Sequence, residues 1–380
     1  MYFDNGATTL QKPAAVGRAV RRAMKLCASP GRGGYCAAMQ AADAVYHCRE
    51  VAAALFETTP ERVAFTMNAT HGLNYAIHSL VRPGDPVVVS GFEHNAVMRP
   101  LALLGADVAV AGRRLFEPAD TLAAFDAAIT PQTKAVICTH VSNVFGYILP
   151  VEEIAALCRM RGVPFVLDAS QSAGTLQVSM ERLQAEFIAM PGHKGLYGPQ
   201  GTGILLCGGM LPAPLIAGGT GSQSRLLQMP MELPDRVEPG THNVPGICGL
   251  AAGMEFVQRR GTAQILRQEQ RLLTHLKTAL QKTPGLRLFT AENGAQSGTV
   301  SLQANGWDCE QLAELLARRR IAVRAGLHCA PVAHESAETL ESGTVRISFS
   351  AFNTMRETTR LAAVIRHILA DCDRKDTEKT

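Results

Sequence analysis

Asp168 follows the apolar run Phe165-Val166-Leu167. Lys194 stands 26 residues further on, in Met190-Pro-Gly-His-Lys-Gly-Leu-Tyr-Gly-Pro-Gln-Gly201, again behind an apolar run. In an open α/β sheet ligands bind outside the carboxyl ends of the strands, so both side chains lie where a ligand would be met. Each has a plainer reading: an aspartate there can cap the next helix, and Gly-His-Lys taken alone is more often a surface turn. Together they supply an amine and a carboxylate. Pyridoxal phosphate needs both, a lysine to form the Schiff base and an acid to keep its pyridine nitrogen protonated, so that the ring accepts electrons from a substrate Cα. Its phosphate needs a home as well. Asn68-Ala69-Thr70-His71-Gly72-Leu73-Asn74 lies between an expected strand and an expected helix, where free backbone N–H groups and the Thr70 hydroxyl can cradle an anion. By itself that loop is no more than a helix N-terminus with a capping threonine. Neither G-x-G-x-x-G nor G-x-x-x-x-G-K-[ST] occurs, which argues against a dinucleotide or a nucleoside triphosphate.

The elements that must carry these residues follow from the apolar pattern. Short apolar strands at 63–66, 87–89, 107–110, 135–138, 165–167 and 203–207 alternate with helical periods at 70–81, 120–128 and 151–161, which predicts an α/β domain around a mostly parallel sheet. Residues 208–245 are rich in Gly, Pro and Met without periodicity and read as a long surface excursion. Beyond Pro245, helices at 246–260, 262–282, 308–319 and 355–370 and strands at 286–289, 298–303, 321–324 and 345–350 read as a smaller α+β domain. The expected organisation is an N-terminal segment 1–15 packing with the small domain, a large domain 16–250, a small domain 251–370 and a frayed polar tail 371–380.

A chain of 380 residues suits such a pair of domains, and 47% apolar with 18% charged residues is ordinary for a soluble protein. A net charge of +4 with dispersed lysines and arginines gives no nucleic-acid face. With no signal peptide and no stretch of 18 apolar residues, a cytoplasmic protein without membrane contact is expected. The ten cysteines include no Cys-x-x-Cys pair. No metal site or disulfide framework is therefore expected, and most of the thiols should be buried.

In sequence order, YFDNGATT (2–9), NATHGLN (68–74), EHNA (93–96), HVSNVFG (140–146), DASQ (168–171), PGHK (191–194), EPGTHN (238–243), RAGLHCAP (324–331) and VRISFS (345–350) resemble the class V aminotransferase and cysteine desulfurase family, fold type I of the pyridoxal-phosphate enzymes. The resemblance covers nearly the whole chain. It implies that Lys194 carries the cofactor, His94 stacks on its ring and acts as a catalytic proton relay, Gln171 bonds its phenolic oxygen, and Ala69, Thr70 and His193 hold its phosphate. Thr241 matches a threonine that completes the neighbouring subunit's phosphate site, so a homodimer is implied. Arg346 matches the carboxylate-binding arginine, whose fork suits two parallel charge-assisted bonds. Asn143 would assist it, and Arg324 is placed near by, although with three arginines just before it a solvated basic face is the alternative.

Cys329 makes the implied activity specific. It stands beside His328 and near Arg324, and positive neighbours lower a thiol's pKa. As thiolate it would take sulfur from L-cysteine, leaving an enzyme persulfide and L-alanine. RAGLHCAP resembles the desulfurases with a compact cysteine loop, which rely on a partner protein or reductant to remove that sulfur. Three departures are visible: Gly6 where the family commonly has alanine, Leu327 in place of a second histidine, and GGTGS at 218–222. Alternatives are a selenocysteine lyase acting on L-selenocysteine, a true class V aminotransferase, and a non-catalytic sulfur-transfer scaffold.

Overall fold

The computed structural model describes residues 1–31 and 33–377, with side chains as far as residue 370. Eleven strands are present among them: β1 Val63–Thr66, β2 Pro86–Ser90, β3 Asp107–Ala111, β4 Ala135–Thr139, β5 Phe165–Asp168, β6 Phe187–Pro191, β7 Gly203–Cys207, β8 Leu286–Phe289, β9 Thr299–Ala304, β10 Arg324–Gly326 and β11 Thr344–Ser348. The helices are α1 Ala14–Leu26, α2 Cys36–Phe56, α3 Ala69–Leu80, α4 Asn95–Leu104, α5 Pro118–Ala128, α6 Val151–Arg161, α7 Met180–Leu183, α8 Val244–Arg260, α9 Thr262–Leu280, α10 Cys309–Arg318, α11 Pro331–Ser336 and α12 Met355–Thr377.

Seven strands form one sheet in the order β1-β7-β6-β5-β4-β2-β3. The run from β6 to β3 is parallel, and β7 is antiparallel to both of its neighbours. β1, β4, β5, β6 and β7 are buried along their whole length. Continuous apolar strands of this kind belong to a parallel sheet covered by helices on both faces, and the residues of alternate parity feed two separate cores. Each fully buried Val, Leu or Ile side chain contributes roughly 1.5–3 kcal/mol. This is the α/β, mostly parallel architecture read from the sequence.

A second, antiparallel sheet runs β10-β11-β9-β8. Its core takes in Leu272, Leu276 and Leu280 of α9, Leu312 and Leu316 of α10, and Leu361 and Ile365 of α12. Phe3 is in the same core, and bridges from Tyr2 to Ala322 and from Asp4 to Ser348 lay the N-terminal strap along this sheet. From there the strap crosses to the large sheet, where Thr9 N–H donates to the carbonyl of His193 at 3.0 Å.

Two expectations need correction. The strand read at 321–324 joins the sheet only from Arg324 to Gly326, because before it the backbone of Ala322 is paired instead with the N-terminal strap at Tyr2. The tail expected to fray from residue 371 continues as α12 to Thr377, and 378–380 lie outside the described residues. Five of the nine cysteines with described side chains are buried, while Cys27 and Cys248 are partly so and Cys36 and Cys329 are exposed. Between β7 and α8 there is no strand or α-helix, and this excursion exposes Leu226, Leu227 and Met231. The glycine-rich insert at 218–222 folds back on the segment before α8, with Gly240 N–H donating to the carbonyl of Gly219 at 2.7 Å.

Candidate active site

Chain order alone brings most of the site together. Asp168 is the last residue of β5, His193 and Lys194 follow the end of β6, His94 follows β2, Asn143 follows β4, and Ala69 and Thr70 open α3 after β1. With Gln171 these residues line one cleft at the carboxyl edge of the large sheet.

Asp168 is 2% exposed, and its Oδ1 accepts from Ser170 N–H at 2.9 Å. Lys194 is partly exposed, and enclosure by protein lowers its pKa to about 8 against the opposing pull of Asp168, with Arg346 and Arg324 adding to the fall. A substantial fraction of free amine near neutrality is what a nucleophilic lysine requires. Asn68 caps α3 by accepting from His71 N–H at 2.9 Å. The amides of Ala69 and Thr70, at the first two helical positions, have no intrahelical acceptor, and the helix dipole favours an anion there.

His94 caps α4: its Nδ1 accepts from Ala96 N–H at 3.0 Å. Burial, then the Lys194 charge, lower its pKa to about 4, so the ring is neutral at pH 7. A neutral ring whose one lone pair is engaged carries its proton on Nε2. It can stack and donate, but it takes a second proton only by breaking the cap. His193 is likewise neutral, its pKa lowered to about 4 by burial first and then by Lys194 and Lys12, and its buried Nδ1 has no partner. Gln171 Nε2 donates to the carbonyl of Gly6 at 3.0 Å and has a second hydrogen to offer.

Arg346 and Cys329 approach from the small sheet. Arg346 is 2% exposed, with Nη2 donating to Asp4 Oδ1 at 2.7 Å and Nη1 to the carbonyl of Asn143 at 3.0 Å. Asn143 turns its Nδ2 to the carbonyl of His328 at 2.8 Å, and Asn95 N–H donates to the carbonyl of Cys329 at 2.8 Å. The cysteine loop is thereby pinned to the rim of the cleft at two successive peptides, with Cys329 itself exposed. His328 and Cys329 have φ of 51° and 57°. Two consecutive non-glycine residues in the left-handed region cost about 1 kcal/mol or more each, and such strain gathers at functional loops.

One part of the sequence reading is overturned here. His328 is not a cation beside Cys329: its ring is buried, Nε2 lies 3.2 Å from the carbonyl of Thr344, and burial pushes its pKa down to about 2. His328 has a left-handed backbone and a buried ring, while Arg324 is exposed on β10. Thr241 is not in the cleft. It is exposed in a separate pocket with Phe65, His71 and Glu238.

Two site residues carried no role in the sequence reading. Asp4, the partner of Arg346, stands in a quoted motif with nothing local to mark it. Glu93, next to His94, is fully buried; its Oε1 accepts from Thr139 N–H at 2.7 Å and from the Ser90 hydroxyl. Burial raises its pKa to about 8, the two donors opposing and the Asp168 charge adding. An acidic residue three positions beyond an apolar strand was the available signal.

The unpartnered polar atoms test the fit of a cofactor. His193 Nδ1, Asn143 Oδ1 and Arg346 Nε are all buried without a partner, and buried polar groups are ordinarily satisfied. A phosphorylated pyridoxal carrying an amino acid has complements for them, and its phosphate suits the opening of α3. A lysine amine and a strand-end carboxylate flanking a helix N-terminus mark the pyridoxal-phosphate enzymes of fold type I. The family model for aminotransferase class-V matches residues 1–361, and the chain belongs to that family.

Relatives and structures agree. A probable cysteine desulfurase of Xylella fastidiosa is 34% identical over 96% of this chain and 90% of its own length. A probable cysteine desulfurase of Pyrococcus abyssi is 30% identical over 97% and 94%. The apo structure of a cysteine desulfurase from Thermococcus onnurineus superposes with a TM-score of 0.90 at 30% identity, covering 98% of this chain and 95% of that one. No described helix is long and apolar enough to cross a membrane.

Proposed function

We propose that this chain is a pyridoxal-phosphate-dependent cysteine desulfurase that moves the sulfur of L-cysteine onto Cys329 and releases L-alanine. The observation that carries this reading is the exposed Cys329 thiol on a strained loop, tied through Asn143 and Asn95 to the cleft that holds Lys194 and Asp168. Bound through Lys194, the cofactor would supply an electron sink for the substrate carbons. Asp168 would keep its ring nitrogen protonated, His94 would stack on the ring, Gln171 would hold its phenolic oxygen, and Ala69, Thr70 and His193 its phosphate.

Arg346 would bind the α-carboxylate, and the Lys194 amine, with its pKa lowered to about 8, would carry the Cα proton. Cys329 Sγ attacks the substrate sulfur: an S–S bond forms, the Cβ–S bond breaks and its electron pair stays with carbon. Two thiol protons enter; one ends on the methyl group of alanine and one on the persulfide. The carbon is reduced and the sulfur oxidised, with no outside oxidant. A reductant or acceptor protein then removes the outer sulfur from the compact loop.

Thr241 lies outside its own chain's cleft on an exposed segment, which supports a homodimer in which it serves the partner's phosphate site. All the cysteines with described side chains are free, which suits a cytoplasmic setting. The test is release of sulfide and alanine from L-cysteine with a thiol reductant, comparing native protein with Cys329→Ala. Both products should vanish in the variant while its cofactor absorbance remains. Full activity in the variant would make the thiol structural, and a preference for L-selenocysteine with the same indifference would identify a selenocysteine lyase.

A further inference from the structure

Arg346 is a carboxylate receptor that already holds a carboxylate. A guanidinium has two edges able to grip a carboxylate with parallel bonds, Nη1 with Nη2 and Nε with Nη2, and both use Nη2. Nη1 is committed to the carbonyl of Asn143 at 3.0 Å, and Nη2 to Asp4 Oδ1 at 2.7 Å. The buried Nε has no partner. The Nε–Nη2 edge thus keeps a free N–H for a substrate, and Asp4 shares the Nη2 that either edge must use.

The two side chains differ in freedom, with Arg346 2% and Asp4 20% exposed. The backbone of Asp4 is held independently of its side chain: its carbonyl accepts from Ala7 N–H and from the Tyr2 hydroxyl, each at 3.1 Å, and a bridge ties it to Ser348. The carboxylate can thus turn without moving the strap. A second cation lies within the same group. Arg324 faces Arg346 directly in the β10–β11 register, which puts both on one face of the sheet, and Arg324 is exposed.

We propose that Asp4 is an exchangeable stand-in for the substrate's α-carboxylate: it holds Arg346 when no amino acid is bound, and turns to Arg324 when one arrives. The assignment rests on the reading of Arg346 as receptor for an amino-acid substrate. It explains how a guanidinium can wait almost wholly buried, since a desolvated cation without a partner is costly. It also gives Arg324 a positioning role distinct from direct contact with substrate. Binding exchanges one carboxylate for another at Arg346, so the affinity for an amino acid reports a competition with Asp4.

The test uses the holoenzyme and measures the dissociation constant of the product L-alanine by titration calorimetry, alongside KM and kcat for L-cysteine. Asp4→Asn keeps the shape and the acceptor atom but removes the charge. L-Alanine should bind about threefold to tenfold more tightly, as expected for loss of a partly exposed ionic competitor, and KM should fall in parallel with a much smaller change in kcat. Arg324→Gln should weaken L-alanine about threefold in the native background and leave it unchanged in the Asp4→Asn background, a coupling diagnostic of exchange. Should Asp4→Asn fail to fold, Asp4→Ser is measured for the same tightening. Weaker or unchanged L-alanine binding on loss of the Asp4 charge would overturn the proposal, as would an Arg324→Gln effect of equal size in both backgrounds. If the native holoenzyme binds L-alanine but yields no sulfide from L-cysteine, the desulfurase reading falls while the binding result still judges Asp4.

Discussion

Glu93 offers a test of how the cleft manages its charges. Its carboxyl is fully buried at the end of β2, with Oε1 accepting from Thr139 N–H at 2.7 Å and Oε2 unpartnered. Burial lifts its pKa from 4.5 to about 8. Between those values the folded protein holds a proton that the unfolded chain has released, so stability falls as pH rises, by about 1.4 kcal/mol per unit. The contribution is complete below about pH 4.5 and its loss ends near pH 8. From pH 5 to pH 7.5 the loss amounts to about 3 kcal/mol. Glu93→Gln keeps the acceptor that Ser90 and Thr139 use and removes the titration. Urea unfolding of the holoprotein and of the variant at both pH values should show the variant gaining about 3 kcal/mol on the native protein across that interval. Parallel pH profiles would refute the reasoning, since they would mean that Glu93 is ionised in the folded state. A neutral Glu93 leaves Asp168 as the cleft's single carboxylate charge at the sheet edge.

Lys194, with its pKa lowered to about 8, should bind pyridoxal phosphate to the apoprotein at a rate that rises roughly tenfold per pH unit below pH 8 and levels above it, because only the free amine adds to an aldehyde. Stopped-flow absorbance checks this, and a rate flat from pH 6 to pH 9 would contradict it. Asn143→Ala removes the donor that holds the carbonyl of His328 at 2.8 Å. Loss of that buried bond, about 1–3 kcal/mol, should cut sulfide release on the order of tenfold or more while L-alanine still binds. Equal loss of both would mean that Asn143 serves the substrate and not the loop.

The strands of the large sheet are legible because each is a short apolar run buried on both faces, conspicuous without any alternation. α2 is not, since its buried residues are four alanines, Cys48, Arg49 and only three larger apolar side chains, spread around a helix that packs against both α8 and β1. α4 is hidden by Pro100 inside it. The strand-end site residues are legible for a local reason: a polar residue directly after an apolar strand must fall at the ligand-binding edge. Contacts between distant parts of the chain carry no such mark. Asp4 meets Arg346 across 342 residues, and Gln171 meets Gly6 across 165. The setting of His328 was misread because residue type shows a titratable ring but neither its burial nor its left-handed backbone.

Arg346 also explains why the proposed nucleophile and the proposed substrate receptor would belong to one mechanical unit. Its Nη1 holds the carbonyl of Asn143, whose side chain holds the peptide between His328 and Cys329, while Asn95, the residue after His94, holds the next carbonyl. A carboxylate at Arg346 would thus be two hydrogen bonds from the backbone that carries the thiol, and His94, proposed to stack on the cofactor, adjoins the other anchor. Gly6 fits the same arrangement. A Cβ there would lie 3.3 Å from Arg346 Cζ and 3.2 Å from Ser348 Oγ, which already accepts from Gly6 N–H at 2.7 Å. The glycine gives the guanidinium and its exchangeable partner Asp4 the space in which to rearrange, so the departure from alanine at this position bears on substrate fit, while its carbonyl, which accepts from Gln171 at 3.0 Å, also ties it to a group that would bind the cofactor.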